Sequence, residues 1–588
     1  MTDRRHAGFS WPATAGFGLH LSRFTILLWV AAAALVCGLP GHARAQQVAP
    51  SRVTPESLRP APAPAPTIAL PSGAGEAAPV GAAGLSVMVG SVAVTGTFPG
   101  FEGATAAVVD GLRGKRVTLA QIYEAASALE RAYAAAGYVL ARVVVPPQRL
   151  ADGGAVRFTV IDGTIERVDV GAVPERQRAV VAARLGGIVG EAHVTLDEIE
   201  RRLLLVSDLP GLRLRSTLAA GSTPGGTLLV VEATQDLVTG SFGVDDRLPQ
   251  SLGTWTLNST AAVNDALGLG EQAYVSYSTS PDVGSPRLRV FGAGVVLPLG
   301  NDGFTLNPEY TESIARPIPA PGTPATSGDF KRFALRAAYP LVRTRDQTLS
   351  VQGTAEWDDE TLTPIGFPTK LYEDDYGAGR FGVHDAITLS SGASAVLDGT
   401  YSHGLAGRGG TAALPLSQQG ASAVFNKLNL AASLRQPLPE AFELDLIGHA
   451  QTSFGAPLML SEQFGLDGPD ALSGFASGTF SVDQGLSLRA EFARPFALSL
   501  GALGGLPPLG LSPYVFGAFG YGQIVQPTAV QKGSIDAGSA GIGLRSAAAA
   551  DVGLPLGSTL SVELARRFSD VPGLRGGYRA NLAVNLTF

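Results

Sequence analysis

Side chains that could bind a metal or act as catalytic bases are few and widely separated in this sequence. The four histidines beyond residue 45 are His193, His384, His403 and His449. Metal sites need several ligands close together, so single histidines more often serve the fold. The acidic group Glu373-Asp374-Asp375 offers oxygen ligands for a cation, but on a predicted surface loop such a group is more often a solvated face. We therefore expect no metal site and no cofactor.

A thiol nucleophile and the common enzyme motifs are equally unsupported. The only cysteine is Cys37, which lies in a predicted N-terminal leader. The sequence has no G-x-S-x-G to present a nucleophilic serine, no H-E-x-x-H to bind zinc and no G-x-x-x-x-G-K-[ST] to hold phosphates. The net charge of −7 argues against a nucleic-acid partner. These absences predict a protein that is not an enzyme.

The composition favours an all-β chain. Charged residues make up 16% of the 588 positions, whereas soluble globular proteins have about 25%. Glycine accounts for 74 residues, and the hydrophobic fraction of 45% excludes a disordered chain. Beyond the first 45 residues no apolar run reaches the roughly 18 residues that a transmembrane helix requires.

The N-terminal 84 residues are predicted to be a leader followed by a linker. Arg23 precedes an apolar stretch at 24–36, and Ala43-Arg44-Ala45 has the small-x-small pattern of a signal-peptide cleavage site. Cleavage between Ala45 and Gln46 would remove residues 1–45; a membrane anchor is the alternative, but the apolar stretch is short. Residues 46–84 are rich in Pro and Ala, which stiffens a chain and prevents a packed core.

Residues 85–164 and 165–236 are two units with the same predicted order of elements, β-α-α-β-β. The first unit has predicted strands at 86–95, 139–145 and 155–161 and helices at 104–112 and 119–136. The second has strands at 166–170, 212–218 and 227–233 and helices at 176–185 and 196–207. Capping-box pairs, Thr118 with Gln121 and Thr195 with Glu198, mark the start of the second helix in each unit.

Residues 237–588 alternate between apolar and polar side chains with a period of two, which is typical of strands that face lipid on one side. In the last strand Tyr578 and Val584 would face outward, whereas Arg579 and Asn581 would face inward. Sixteen such segments begin near 237, 254, 272, 287, 303, 329, 347, 378, 393, 421, 441, 485, 512, 537, 559 and 577. The predicted fold is two α+β domains followed by a 16-stranded antiparallel transmembrane β-barrel.

The predicted connections between these strands alternate in length. Long connections at 314–328, 359–377, 406–420 and 454–484 follow odd-numbered strands, and turns of a few residues follow several even-numbered ones. Outer-membrane barrels have long loops on the cell surface and short turns in the periplasm, so both ends of the barrel would lie in the periplasm. The connection at 498–511 departs from this pattern, because it is longer than a periplasmic turn should be.

Three motifs lie in the second half of the first unit: G-Y-x-x-x-R-V, P-x-Q and V-I-x-G-x-I-E, formed by Gly137, Tyr138, Arg142, Pro146, Gln148 and Gly163 with their neighbours. With these motifs the unit resembles the first POTRA domain of the two-partner secretion translocators, the TpsB family. The resemblance covers roughly residues 85–588. We expect Tyr138, Arg142 and Gln148 to serve the fold of the domain, and we expect the sheet edge to bind substrate by β-augmentation.

The resemblance implies secretion of an unfolded, haemolysin- or adhesin-like exoprotein across the outer membrane of a Gram-negative bacterium. The POTRA domains would lie in the periplasm, and the barrel, a monomer in the lipid bilayer, would be inserted by the barrel-assembly machinery that reads the terminal Phe588. The alternative is a pore or assembly factor without a dedicated secreted partner.

The sequence departs from the family at the sixth extracellular loop. Members carry V-R-G-F or V-R-G-Y there, with the Arg paired to an acid in an F-x-D-x-G motif on the thirteenth strand. Here the loop has Leu472, Ser473, Gly474 and Phe475, and the strand has Phe516, Ala518 and Gly520, so both charges are missing. Losing both avoids a buried unpaired charge. The loop would be held less firmly, or by Ser473 hydrogen bonds and Phe475 packing in a divergent subfamily.

Overall fold

The computed structural model describes residues 67–69, 78–282, 284–405, 418–499, 508–529, 531–551 and 555–588. The predicted leader, the cleavage position at Ala45 and Gln46, and most of the predicted linker lie outside the described residues. No helix in the described ranges combines the length and apolar character needed to cross a membrane.

The first unit is a four-stranded sheet covered by two helices. One linker strand, β1 (Thr67–Ala69), comes before it in the chain. Its own elements are β2 (Ser86–Thr95), α1 (Glu102–Leu112), β3 (Arg116–Thr118), α2 (Leu119–Ala135), β4 (Arg142–Val144) and β5 (Gly154–Ile161). The strand order is β3-β2-β5-β4, with the central pair parallel. The predicted capping box is present: Gln121 N donates to Thr118 Oγ1 at 3.2 Å, and Thr118 N donates to Gln121 Oε1 at 2.8 Å.

The second unit repeats this architecture. Its elements are β6 (Thr164–Ala172), α3 (Glu175–Leu185), α4 (Leu196–Ser207), β7 (Leu212–Ala220) and β8 (Gly226–Gln235). The strand order is β1-β7-β8-β6, so the linker strand β1 extends this second sheet, parallel to β7. Fully buried residues of both helices, such as Leu185, Ile199 and Leu203, pack on the sheet.

A closed antiparallel barrel follows. Its segments are β9 (Val238–Asp245), β10 (Thr256–Asn264), β11 (Gln272–Thr279), β12 (Leu288–Leu299), β13 (Phe304–Ala315), β14 (Thr326–Arg343), β15 (Gln347–Pro364), β16 (Tyr372–Thr388), β17 (Ser394–Leu405), β18 (Asn426–Pro437), β19 (Glu443–Thr452), β22 (Gln484–Ala493), β23 (Phe496–Leu498), β24 (Leu509–Gln523), β25 (Ser534–Asp551), β26 (Pro555–Ser569) and β27 (Gly576–Thr587). β27 pairs with β9 and closes the barrel. Both β22 and β23 pair with β24, so they are two parts of one strand, interrupted beside Pro495, which has no N–H to donate. The 16-stranded fold predicted from the sequence is therefore confirmed.

The predicted alternation also sorts the barrel side chains by environment. On β22, Leu488 is 50% exposed on the outer surface, whereas the neighbouring Arg489 is 2% exposed inside the barrel. Charged residues therefore line the interior, where they must find partners, and apolar residues form the outer surface. Short 3-10 turns elsewhere in the chain are Ala82–Gly84, Gly186–Ile188, Gln250–Leu252, Pro439–Ala441 and Leu460–Glu462.

Two predicted loops are shorter than the sequence suggested. The connection after β13 covers 316–325, and the one after β15 covers 365–371, because β14, β15 and β16 each have 17 or 18 residues. The acidic group Glu373-Asp374-Asp375 therefore lies in β16, not in a loop, and Glu373 pairs with Lys370 at 2.7 Å. Backbone pairing needs no apolar outer face, so strands continue past the point where the alternation ends.

Candidate functional site

Loop six, residues 453–483 between β19 and β22, is folded into a compact unit inside the barrel. Its two short strands, β20 (Phe464–Gly465) and β21 (Ser481–Val482), pair with each other. The Asp467 carboxylate accepts hydrogen bonds from the backbone N–H groups of Gly478 at 2.8 Å and Phe480 at 2.7 Å. The loop therefore presents a preformed surface to the barrel wall.

An apolar cluster joins this surface to the wall. Its loop members, each at most 3% exposed, are Leu466, Leu472, Phe475, Phe480 and Val482. They pack against Ile535 and Ala537 on β25 and against Leu574. Burying one such side chain is worth about 1.5–3 kcal/mol relative to leaving it exposed, so this packing is a large part of the docking energy.

The predicted loop motif lies at the tip of the unit and contacts the wall at every position. Ser473 Oγ accepts a hydrogen bond from Arg489 Nη1 at 2.8 Å, and its backbone oxygen accepts one from Asn581 Nδ2 at 2.8 Å. Gly474 lies so close to the wall that a Cβ there would be 3.0 Å from Arg567 Cβ and 3.1 Å from Ser539 Cβ.

The three predicted residues of the thirteenth barrel strand, β24, lie directly beneath this tip. Ala518 is the cross-strand partner of Arg489 and packs on the apolar cluster. The Phe516 ring centroid is 3.8 Å from the Arg489 guanidinium carbon. A Cβ on Gly520 would be 3.0 Å from Leu472 Cδ1, so the missing side chain makes room for the loop. The structure thus brings the two predicted motifs together.

Sequence reasoning missed the charged residues that hold this arrangement. Arg489 contacts Glu491 at 2.6 Å and Glu563 at 2.5 Å, and Arg545 contacts Glu491 at 2.7 Å. Tyr514 donates to Glu563 at 2.9 Å. Two arginines and two glutamates balance in charge, as a buried cluster requires. The two-residue period puts Arg489 and Glu491 on the inner face of β22, but no sequence signal identifies their partners.

A second charged contact fixes the base of the loop. The Glu462 carboxylate, whose side chain is 1% exposed, pairs with Arg380 of β16 at 2.7 Å and with Lys427 of β18 at 2.7 Å. Tyr376 donates to it at 2.6 Å. Arg380 also pairs with Glu356 at 3.0 Å. Glu462 lies ten residues before the predicted motif at 472–475, in a part of loop six for which no site residue was predicted.

A small cavity remains beside the tip. It has a volume of about 170 Å³ and is lined by residues that include Ser473, Phe475, Arg545, Glu563 and Arg579. Pockets that bind small molecules measure about 300–1,000 Å³. The space beside the docked tip is therefore too small for a polypeptide.

At the other rim, the second unit contacts the short turns of the barrel through helix α4. Arg202 pairs with Asp302 at 2.9 Å, and Arg345 pairs with Glu200 at 3.1 Å. Next to the end of α4, Asp208 accepts two hydrogen bonds from Arg343, at 2.7 and 2.9 Å. Burial raises the pKa of Glu200, and Arg345 opposes that rise. These contacts fix the second sheet at one mouth of the barrel.

Two glycines of the first-unit motif occupy positions that suit no larger residue. A Cβ on Gly163 would lie 1.9 Å from the Leu140 oxygen, and Gly137 has φ +94°. The Gly137 oxygen also accepts a hydrogen bond from Leu196 N at 2.8 Å, which links the two units.

The other motif residues contact neighbours in the same unit. Gln148 exchanges two hydrogen bonds with the Arg157 backbone, at 2.8 and 3.0 Å, and so pairs with β5 beyond the end of β4. Arg142 lies 3.5 Å from Glu130. The Tyr138 ring packs against Phe98 at 5.3 Å between centroids, and Pro146 is half-buried just after β4.

The terminal Phe588 takes part in barrel closure. Its backbone exchanges hydrogen bonds with Gly240 on β9, at 2.9 and 3.0 Å. A Cβ on Gly240 would be 2.7 Å from Phe588 Cζ, so the ring lies over this glycine. The contact adds to the pairing of β27 with β9.

Known proteins that are similar in sequence include outer-membrane transporters. The outer membrane transporter CdiB of Escherichia coli is 26% identical over 388 residues, which span 62% of this chain and 62% of that protein. The heme/hemopexin transporter protein HuxB of Haemophilus influenzae is 21% identical over 401 residues, or 64% of this chain and 67% of that protein. The chain thus matches under two thirds of the CdiB sequence.

Solved structures share the fold. CdiB from Escherichia coli superimposes with a TM-score of 0.65 at 20% identity, covering 96% of this chain and 97% of that one. CdiB from Acinetobacter baumannii gives a TM-score of 0.56 at 17% identity, covering 86% and 90%.

Two family models match the sequence itself. Residues 89–163 match the POTRA domain of ShlB type, as the first-unit motif predicted. Residues 225–546 match the haemolysin secretion/activation protein family ShlB/FhaC/HecB, and this match covers more than half of the chain. The chain therefore belongs to the ShlB/FhaC/HecB family of TpsB-type outer-membrane proteins.

Proposed function

We propose that this chain is an outer-membrane translocator that secretes an unfolded, haemolysin- or adhesin-like partner protein from the periplasm to the cell surface. The observation that carries the proposal is loop six, docked inside a closed barrel and fastened to its wall at two places. The cavity of about 170 Å³ beside the tip is too small for a polypeptide. Passage at this place therefore requires the tip to move, which supports loop six as the gate.

The sheets at the barrel mouth are suited to receive an extended chain. β1, a segment of the linker, pairs in parallel with β7, which would be the edge of the second sheet without it, with Thr67 opposite Arg215. This pairing supports β-augmentation at that edge, because main-chain hydrogen bonds require no particular sequence. A partner protein would bind there or at the edges of the first sheet before it enters the barrel.

The cellular placement follows from the same proposal. The leader 1–45 would be cleaved between Ala45 and Gln46, leaving the linker 46–84, POTRA units at 85–164 and 165–236 in the periplasm, and the barrel 237–588 in the outer membrane of a Gram-negative bacterium. Phe588 would be recognised by the barrel-assembly machinery. The chain, which closes the barrel by itself, would act as a monomer.

A pore or assembly factor without a secreted partner is the second candidate. It is favoured by Ser473 and Ala518, which replace the charged pair expected of the family. The contact of Ser473 with Arg489 weakens this argument, because the loop is docked without that pair.

Secretion in a reconstituted pair tests the proposal. The chain is expressed with the product of a neighbouring gene that encodes a large secreted protein with an N-terminal secretion domain, and the partner in the medium is measured. We expect secretion to depend on both the chain and that domain. Equal secretion with and without the chain would overturn the proposal, and equal secretion of a partner that lacks the domain would favour the pore.

A further inference from the structure

We infer that loop six is a flap whose base is held by charge and whose tip is released without unpairing a charge. This inference rests on the proposed function, since it describes how the gate opens. We call the contacts of Glu462 the hinge, and the contacts of residues 472–475 the latch. The latch contains no charged side chain of the loop, whereas the hinge contains one.

The latch arginine belongs to the wall. Arg489 donates one hydrogen bond to Ser473, but its other contacts, with Glu491, Glu563 and the Phe516 ring, all lie on barrel strands. Withdrawal of the tip therefore leaves the guanidinium paired with both carboxylates. The tip loses the packing of Leu472 and Phe475 on the wall and two hydrogen bonds, those accepted by Ser473 Oγ and by the Ser473 backbone oxygen, which water can replace.

The position of Arg489 explains why both family charges are absent. Its cross-strand neighbour is Ala518, the position of the family acid, and its guanidinium contacts Ser473, the position of the family arginine. A cation on the wall at this place makes a loop arginine unfavourable, because two cations would meet in the barrel interior. Because Arg489 already pairs with acids on β22 and β26, it does not need an acid on β24.

The hinge behaves in the opposite way. Withdrawal of Glu462 would leave Lys427 and Arg380 facing each other inside the barrel, while Arg380 keeps its contacts with Glu356 and Ser402. The buried residues Leu458 and Met459 pack beside it. The base therefore stays in place while the tip, eleven residues further along the chain, moves.

Cysteine labelling in the folded, membrane-inserted protein tests this. The only native cysteine, Cys37, lies in the predicted leader and is replaced by Ser. Single cysteines at two buried positions, Ala471→Cys near the latch and Met459→Cys at the hinge, report opening of each part through their rate of reaction with a maleimide. The latch is altered by Ser473→Arg, which opposes Arg489, and by Ser473→Asp, which pairs with it.

We expect Ser473→Arg to speed labelling at Ala471→Cys about tenfold or more while Met459→Cys stays protected. Ser473→Asp should label no faster than the parent. Thr323→Arg and Thr323→Asp, the same changes in an exposed loop of the same rim, should have no effect. Equal labelling in the Ser473→Arg and Ser473→Asp proteins, or acceleration of both cysteines together, would overturn the inference.

Two controls keep the outcome interpretable. Ser477→Ala is the control for Ser473→Ala. Ser477 is bonded through its backbone N–H, which donates to the Arg247 oxygen at 3.0 Å and is kept in the alanine variant. Heat-modified mobility on gels checks that each barrel is folded. The labelling experiment needs no partner protein. If labelling follows the expected order but no secretion is found, the inference about the flap is supported and the proposed function is not.

Discussion

The chain joins loop six to the barrel and the second POTRA-type unit to the barrel in different ways. Inside the barrel, the loop residue Glu462 is 1% exposed and pairs with Arg380 and Lys427 of the wall. At the rim, Arg202 and Asp302 form a pair whose side chains are 24% and 63% exposed. Buried pairs are costly to break on one side, whereas exposed pairs contribute little. The base of the loop is thus held by a contact that strongly resists partial loss, whereas the Arg202–Asp302 pair at the rim yields more easily.

The largest expected effect is at the hinge. Glu462→Gln removes the carboxylate that neutralises Arg380 and Lys427, and breaking a buried pair in this way costs about 3–5 kcal/mol. The free energy of unfolding of the barrel in urea, measured in lipid vesicles, should fall by that amount. Glu443→Gln is the control, since this carboxylate is 4.0 Å from Arg435 and partly exposed. A similar loss of unfolding free energy in both variants would show that burial does not make the Glu462 pairs stronger than the Glu443 pair.

An intermediate effect is expected at the latch. Gly474→Ala places a methyl group about 3.0 Å from Arg567 Cβ and Ser539 Cβ, so the tip must withdraw by a few tenths of an ångström. Overpacking of this kind costs roughly 1–3 kcal/mol. Faster hydrogen exchange of the amides in 466–482 would record it. Gly517→Ala is the control: its methyl group meets no atom within 4 Å, so hydrogen exchange should stay unchanged. If both variants speed exchange equally, close approach to the wall is not the cause.

The smallest effect is expected at the rim. Asp302→Asn removes the pair with Arg202, which is worth about 0.2–1 kcal/mol and is screened by salt. The distribution of distances between spin labels on α4 and on the barrel should be broader than in the parent at low salt. At high salt the two distributions should be the same. Asp282→Asn, which affects an exposed pair at 3.5 Å on the opposite rim, should not change them. A salt-independent change would place this contact among the buried ones.

The fold was largely predictable because its signals are local. Strand alternation located all sixteen barrel strands, and capping residues such as Thr118 marked a helix start at the correct residue. The errors had a local cause as well. β15 and β16 extend beyond the apolar alternation, and β3, with three residues, is too short to show a period. The structure brings the predicted motifs of loop six and β24 together, but no sequence signal identified the residues that hold them there.

By itself the sequence determined the barrel, the inward or outward direction of its side chains and the POTRA resemblance, because each depends on residues close together in the chain. Only the tertiary structure decided that Arg489 contacts Ser473, lies opposite Ala518 and pairs with Glu563, which is 74 residues away. Those contacts depend on strand register and on the folding of loop six back into the barrel. A two-residue period specifies the face on which a side chain lies, but not the partner it meets there.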